Sequence, residues 1–226
     1  MEKHIVALGG GGWMMGEERS ELDRYVLDIT GKQDPKVCYV PTASGDADEA
    51  IQRFYNSSLS RNLNHFPLFK PDLDWRTKLQ EQDVIYVGGG NTRSMLAIWK
   101  EWGLDNILRD CYESGVVLCG MSAGAICWFD HGITDSNPEE YAVIDALGFV
   151  RGLASAHFTG SDEKADLFGR FSREHCNTPC YGISDYAALH FVDGQHYRTI
   201  KSQTGAKVII KNALQQIRTK RCNPDC

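Results

Sequence analysis

The 226-residue sequence predicts an α/β fold: a mostly parallel sheet covered on both faces by helices, with a small antiparallel portion towards the C-terminus. Two observations carry this reading. Short continuous apolar runs, Ile5-Val6-Ala7-Leu8, Val37-Cys38-Tyr39-Val40, Val84-Ile85-Tyr86-Val87 and Val116-Val117-Leu118-Cys119, have the composition of strands buried on both faces. They alternate with amphipathic segments of helical period, which is the order of parallel strands linked by crossover helices. The length suits one domain with a single core, expected to span residues 1–226.

The elements follow in order. Ile5 to Leu8 runs into Gly9 to Gly12; then Leu22, Tyr25, Val26 and Ile29 repeat at i, i+3, i+4 and i+7 and predict a helix that Gly31 stops. Val37 to Val40 is closed by Pro41 and the polar Thr42-Ala43-Ser44-Gly45, and Ile51, Phe54 and Tyr55 share one face of a second helix. A strand is expected around His65 to Phe69. After Val84 to Val87 and Gly88-Gly89-Gly90-Asn91, one helix carries Met95, Ile98, Trp99 and Trp102, and the next carries Leu104, Ile107, Leu108 and Cys111. Val116 to Cys119 leads into Gly120-Met121-Ser122-Ala123-Gly124. Beyond about residue 130 the periodicity weakens. Phe168 and Phe171 suggest a helix and Tyr181-Gly182-Ile183 a strand end, while Ala188 to Val192, Tyr197 to Lys201 and Lys207 to Lys211 read as an antiparallel tail turned at Asp193-Gly194.

Composition excludes several classes of partner. With 24 basic and 30 acidic side chains the formal charge is -6, which disfavours phosphate backbones and anionic lipid, so no nucleic acid and no membrane is expected. No apolar stretch is long enough to span a bilayer and no signal-peptide pattern precedes the first strand, so the expected location is the cytoplasm. Eight cysteines are too sparse for a disulfide scaffold. The pairs Cys176/Cys180 and Cys222/Cys226 lack the two-residue knuckle of zinc sites, and no metal is expected.

Four glycines after the first strand invite a nucleotide reading that their spacing rejects. A G-x-G-x-x-G pattern starting at Gly9 or Gly10 needs a glycine where Met14 or Met15 stands. Gly11 and Gly16 have the separation of a phosphate-binding loop, but Glu17 and Glu18 occupy the positions of its lysine and hydroxyl residue. The remaining reading is a tight turn where backbone passes close to a neighbouring loop.

Gly120-Met121-Ser122-Ala123-Gly124 satisfies the G-x-S-x-G nucleophile-elbow pattern, with an apolar strand before it and the helix-compatible Ala125 to Phe129 after it. Ser122 is then a nucleophile, and the Ala123 amide, at the start of a helix, is the first donor to a developing oxyanion. In a parallel sheet the preceding Gly88-Gly89-Gly90-Asn91 turn lies beside the elbow and can supply the second donor from Gly89 or Gly90. Asn91 or Thr92 can cap the helix that follows.

Gly88-Gly89-Gly90-Asn91-Thr92, Gly120-Met121-Ser122-Ala123-Gly124-Ala125 and His157-Phe158-Thr159 together resemble successive signatures of the peptidase E family of serine peptidases, which also includes cyanophycinases. The likeness is strong from about Val84 to Leu189. It implies a three-layer α/β sandwich of the class I glutamine amidotransferase type, with serine in place of the amidotransferase cysteine and no metal or organic cofactor.

A serine hydroxyl needs a base held by a third group. The resemblance makes His157 the base and Asp185, in Gly182-Ile183-Ser184-Asp185, its partner, with Asp135 as the alternative. Family relatives place a cation after the histidine to hold an acidic substrate; here Gly160-Ser161-Asp162-Glu163-Lys164 is largely acidic, leaving Lys164 and Arg170, so Lys164 and Asn91 are the expected substrate contacts and aspartyl preference is in doubt. Asp162 and Glu163 read equally as the first turn of a solvated helix. The leading expectation is a serine peptidase of dipeptidase or aminopeptidase type, monomer or homodimer, that hydrolyses small peptides through a Ser-His-Asp triad and an acyl-enzyme, with cleavage after an N-terminal Asp left open. An esterase ending its triad at His196, or a binding protein that keeps the turn without turnover, are the other readings.

Overall fold

The computed structural model describes residues 1–18, 20–161 and 163–212. Strands β1 (His4–Leu8), β2 (Lys36–Val40), β3 (Asn62–His65), β4 (Val84–Val87) and β5 (Val117–Met121) alternate with helices α1 (Glu21–Ile29), α2 (Asp48–Tyr55), α3 (Trp75–Gln80), α4 (Thr92–Trp102) and α5 (Leu104–Glu113). A one-turn helix, α6 (Ala123–Ile126), then leads into β6 (Phe129–Asn137), β7 (Glu140–Asp145) and β8 (Val150–Ser155). Helix α7 (Glu163–Glu174) and strands β9 (Cys180–Ile183), β10 (Ala187–Val192), β11 (Gln195–Lys201) and β12 (Val208–Lys211) complete the order.

Seven strands form one sheet in the order β11-β10-β1-β5-β4-β2-β3. The β1, β5, β4, β2 and β3 neighbours are parallel, and β10 and β11 extend the sheet antiparallel from β1. The four apolar runs read from the sequence are its centre, and Val84 to Val87 and Ile5 to Leu8 are buried throughout. Leu22 and Val26 of α1 and Phe54 of α2 pack on one face with Tyr39 and Tyr86. Trp75, Met95, Trp99, Leu104 and Leu108 of α3 to α5 pack on the other. The helix-covered sheet expected from the sequence is therefore present. The Asp193-Gly194 turn is also as expected: both residues have positive φ (50° and 74°), as a two-residue hairpin between right-twisted strands requires.

The chain beyond residue 130 differs from a simple tail. A second, five-stranded sheet has the order β12-β9-β8-β6-β7, with β6, β8 and β9 parallel. Lys207 to Lys211, expected beside the β10–β11 hairpin, instead contributes β12, which pairs antiparallel with β9. Phe168 and Phe171 do lie on a helix, α7, and pack against Ile133, Leu153 and Cys180 of this sheet. The two sheets share one core: Phe129 and Tyr181 of the second pack edge-on and tilted against each other and against Phe191 of the first, at centroid distances of 5.3 to 5.5 Å. Among the described residues no helix is long and apolar enough to cross a membrane, and no group of three His, Cys, Asp or Glu residues is placed to hold a metal. Asp162, Cys222 and Cys226 lie outside the described residues.

The first sheet buries a histidine that belongs to neither terminus nor site. His190 of β10 is 3% exposed, with Nδ1 2.8 Å from the Tyr25 hydroxyl and Nε2 3.0 Å from His4 Nδ1. Burial, with His4 and Arg198 nearby, pushes its pKa down from 6.5 to about 4. An unfolded chain takes up that proton near pH 6.5, whereas the folded one resists it down to about 4, so this contribution is complete above 6.5 and is lost as the pH falls through that window. Urea unfolding measured across it should show a stability loss in wild type that is reduced in His190→Gln; equal slopes for the two proteins would refute the assignment.

Candidate active site

The end of β5 is shaped by two close approaches. A methyl group on Gly124 would lie 2.2 Å from the Val87 carbonyl oxygen, and one on Gly120 would lie 2.4 Å from the Gly124 carbonyl oxygen. Only glycine lets the chain fold back this tightly beside β4. Between them Ser122 takes φ 58° and ψ −114°, a conformation that strains any residue with a Cβ, and its amide donates to the Leu8 carbonyl at 3.2 Å. The helix that follows is a single turn rather than the longer segment expected over Ala125 to Phe129, so its macrodipole is small. What remains is the local amide of Ala123.

The Gly88-Gly89-Gly90 turn stands next to this serine, as the parallel order requires. A methyl on Gly89 would be 3.2 Å from Ser122 Cβ, and Gly90 has φ 140° with the Ala43 carbonyl filling the place of any side chain. Among the described residues, no protein acceptor is hydrogen-bonded to the amides of Gly89, Gly90 or Ala123. Asn91 caps α4 by accepting from the Ser94 amide at 2.9 Å, and its Nδ2 donates to the Ser136 carbonyl at 3.1 Å. Both ends of this side chain, expected at the substrate, are thus engaged by the protein.

His157 follows β8 and Asp185 lies in the short connection from β9 to β10. His157 Nδ1 and Asp185 Oδ1 are 2.5 Å apart, with both side chains partly exposed. The Gly9–Gly10 turn touches this pair and follows a strand that runs beside β5. Leu8 is level with Met121 in the β1–β5 ladder, so Gly9 comes abreast of Ser122. The Gly9 carbonyl accepts from the His157 amide at 3.0 Å, and a methyl on Gly10 would lie 2.0 Å from Asp185 Oδ1 and 3.0 Å from His157 Nδ1. Among the described residues no hydrogen bond joins the Ser122 hydroxyl to the imidazole.

The other sequence candidates fall elsewhere. Asp135 is exposed at the end of β6; extending the β6–β8 register by two residues from Ile133 and Ser155 sets it level with His157, but no hydrogen bond or ion pair reaches it among the described residues. Lys164 is only 9% exposed: its ammonium donates to the Ala156 carbonyl at 3.0 Å and lies 5.2 Å from the Tyr141 ring centre. Its ammonium therefore holds the peptide just before His157. His196 pairs with Phe191, which is level with Ile5 and hence with Leu118, so it sits three strands from β5 and four residues below Ser122. At about 4.8 Å per strand it is out of reach.

Sequence reading gave Asp23 no role and used Glu17 only to reject a phosphate-binding loop. Asp23 is 3% exposed and Oδ2 accepts from the Trp13 amide at 2.7 Å, while Glu17 Oε2 accepts from the Gly12 amide at 2.6 Å. Burial raises the Asp23 pKa from 3.8 to about 6. The only prior signal was the run of glycines beside them.

A family model described as peptidase family S51 matches residues 5–199. The uncharacterized peptidase YgaJ of Bacillus subtilis (strain 168) is 43% identical over 208 residues, 91% of this chain and 90% of that protein. Peptidase E of Haemophilus influenzae is 24% identical over 188 residues, 78% of this chain and 84% of that protein. Among solved structures, a peptidase from an acI-B1 Actinobacterium superposes with a TM-score of 0.67 at 17% identity, covering 95% of this chain and 93% of the other, a likeness of fold.

The tightest of the contacts around Ser122 gives a direct test. Gly124→Ala must displace α6 from Val87, and is expected to lower stability by about 1–3 kcal/mol in urea unfolding. An unchanged midpoint would mean that the approach is looser than 2.2 Å implies.

Proposed function

The chain belongs to peptidase family S51 and is a serine-type peptidase, and from that premise we propose that it cleaves dipeptides and other short peptides through Ser122, His157 and Asp185. The observation that supports this most is the 2.5 Å His157–Asp185 contact, held by the same Gly9–Gly10 turn that runs abreast of Ser122. We read the Gly120 to Gly124 turn as a nucleophile elbow.

In this scheme the Ser122 hydroxyl attacks the amide carbonyl while its proton passes to His157 Nε2, the ring nitrogen not engaged by Asp185. Asp185 accepts from Nδ1–H, fixes the tautomer and stabilises the imidazolium without itself taking the proton. The carbonyl oxygen becomes an oxyanion that meets the amides of Gly89, Gly90 and Ala123. His157 then returns the proton to the leaving amine as the C–N bond breaks. Water attacks the acyl-enzyme, gives a proton to His157, and the acid product leaves with Ser122 restored.

The proposal treats the described chain as one working unit, since the nucleophile stands on the first sheet and the base on the second. It includes no requirement for an N-terminal aspartate. Lys164 and Asn91 have their polar groups bound within the protein, which supports a preference not set by a carboxylate at those two side chains.

A fluorophosphonate probe is expected to label wild type and to leave Ser122→Ala unlabelled. On a dipeptide panel, kcat/KM should fall about 10⁴-fold in Asp185→Asn and further in Ser122→Ala. Asp135→Asn should lose less than about tenfold, as expected of a charge that does not orient the base. A large loss at Asp135 with little at Asp185 would exchange their roles, and no labelling of wild type would remove the scheme.

A further inference from the structure

The Gly9 to Gly12 turn is gripped from two sides, and the grip reaches the base. On the inner side the His157 amide donates to the Gly9 carbonyl and the Tyr186 amide to the Gly10 carbonyl, both at 3.0 Å, so the residues carrying and following the His157–Asp185 pair hang on this turn. Gly10 is packed so closely against Asp185 Oδ1 and His157 Nδ1 that a sideways shift of the turn moves into them. On the outer side are two carboxylates. Asp23 takes the Trp13 amide at 2.7 Å, and both its oxygens lie within 2.9 Å of where a Gly12 methyl would be; Glu17 takes the Gly12 amide at 2.6 Å. Gly11 and Gly12, at φ 103° and 70°, have no side chains of their own with which to resist movement.

We propose that Asp23, assisted by Glu17, is a positioning residue for the peptidase reaction, fixing the Gly9 to Gly12 turn against which His157 and Asp185 are seated. It touches neither substrate nor the reacting atoms. Its own surroundings suit a fixed strut. It is buried at the start of α1, where Ser20 Oγ accepts from its amide at 3.4 Å, and the Tyr86 hydroxyl reaches Oδ1 at 3.3 Å. Glu17 is anchored in turn by Gln203, whose Nε2 donates to Oε1 at 3.2 Å. Keeping a carboxylate in so buried a place is unfavourable in itself, as the raised Asp23 pKa records, so stability alone does not account for its presence. A misplacement of about 1 Å at a base costs on the order of 10²-fold in rate, which is the scale available to such a strut.

This inference rests on the Ser122–His157–Asp185 reading, and one experiment separates the two. The rate of covalent labelling by a fluorophosphonate of fixed structure is measured as kinact and KI, which needs no knowledge of the natural substrate. Wild type that labels at Ser122, more slowly in Asp185→Asn, upholds the reading; wild type that does not label removes both. With labelling established, Asp23→Ala is expected to lower kinact about 10-fold to 100-fold with KI within about twofold. Asp23→Asn, which keeps an acceptor for the Trp13 amide, should retain most of kinact and unfold at or above the wild-type temperature at pH 7.5. The low-field proton resonance of His157 Nδ1–H should be present in wild type and Asp23→Asn and shifted or broadened in Asp23→Ala. Should Asp23→Ala fail to fold, the half-exposed Glu17→Ala takes its place, with a several-fold loss of kinact expected. Wild-type kinact in folded Asp23→Ala, or in Glu17→Ala where that stands in, overturns the proposal, as does a loss in Asp23→Asn equal to that in Asp23→Ala.

Discussion

The approach of the Gly124 backbone to the Val87 carbonyl leaves no room for a single methyl group, and the arrangement at the carboxyl end of the first sheet follows from it. With α6 pressed against β4, the chain must reverse within the few residues after β5, and Ser122 is forced to positive φ with its side chain at the apex. The same compression leaves a side chain at Gly89 only 3.2 Å from Ser122 Cβ, and among the described residues the Gly89, Gly90 and Ala123 amides have no protein acceptor. Side chains contribute little here. The shape is made by backbone and by what glycine omits, in the turns that follow the strands of the sheet.

The His157–Asp185 pair lies where the two sheets meet, and its placement depends on how they pack. Asp185 lies in the connection where the chain leaves β9 and enters β10, so it is tied at one end to each sheet. His157 follows β8 of the second sheet, yet its amide is bonded to Gly9 of the first. Ser122, His157 and Tyr186 all have positive φ, three of the seven described non-glycine residues that do. Strain concentrated at one place persists only where surrounding contacts over-determine it. Here those contacts are the Phe129, Tyr181 and Phe191 rings, which join the sheets, and the Lys164 ammonium, which holds the carbonyl before His157.

The legible parts of the sequence were those whose signal is local. Strands β1, β2, β4 and β5 are buried on both faces and therefore read as unbroken apolar runs, and the G-x-S-x-G turn carries its steric reason in its own five residues. Strands β6 and β7 gave no such signal: Phe129 to Asn137 mixes buried Ile133 and Thr134 with Asp130, His131 and Asp135, and β7 is half-exposed along its middle. The second sheet was consequently invisible as a sheet. Resemblance supplied His157 and Asp185, 28 residues apart, which no spacing rule would have joined. The contacts of Lys164, Asn91 and Asp23 depend on which loops meet in space; a charge near His157 in sequence says nothing about the direction in which it turns.

That last point bears on what the site can select. Charge counted along residues 160–164 suggests an acidic rim with one free cation, whereas in three dimensions the Lys164 cation is inside, bound to a carbonyl and stacked near Tyr141. Among the described residues this buried ammonium has no carboxylate partner, and its charge is accommodated because it donates to a backbone oxygen and faces an aromatic ring. Moving it towards a substrate carboxylate would unseat Ala156, and with it the peptide that carries His157. Recruiting Lys164 would thus disturb the His157–Asp185 pair, whereas Arg170, the other cation near His157 in the sequence, is exposed on α7.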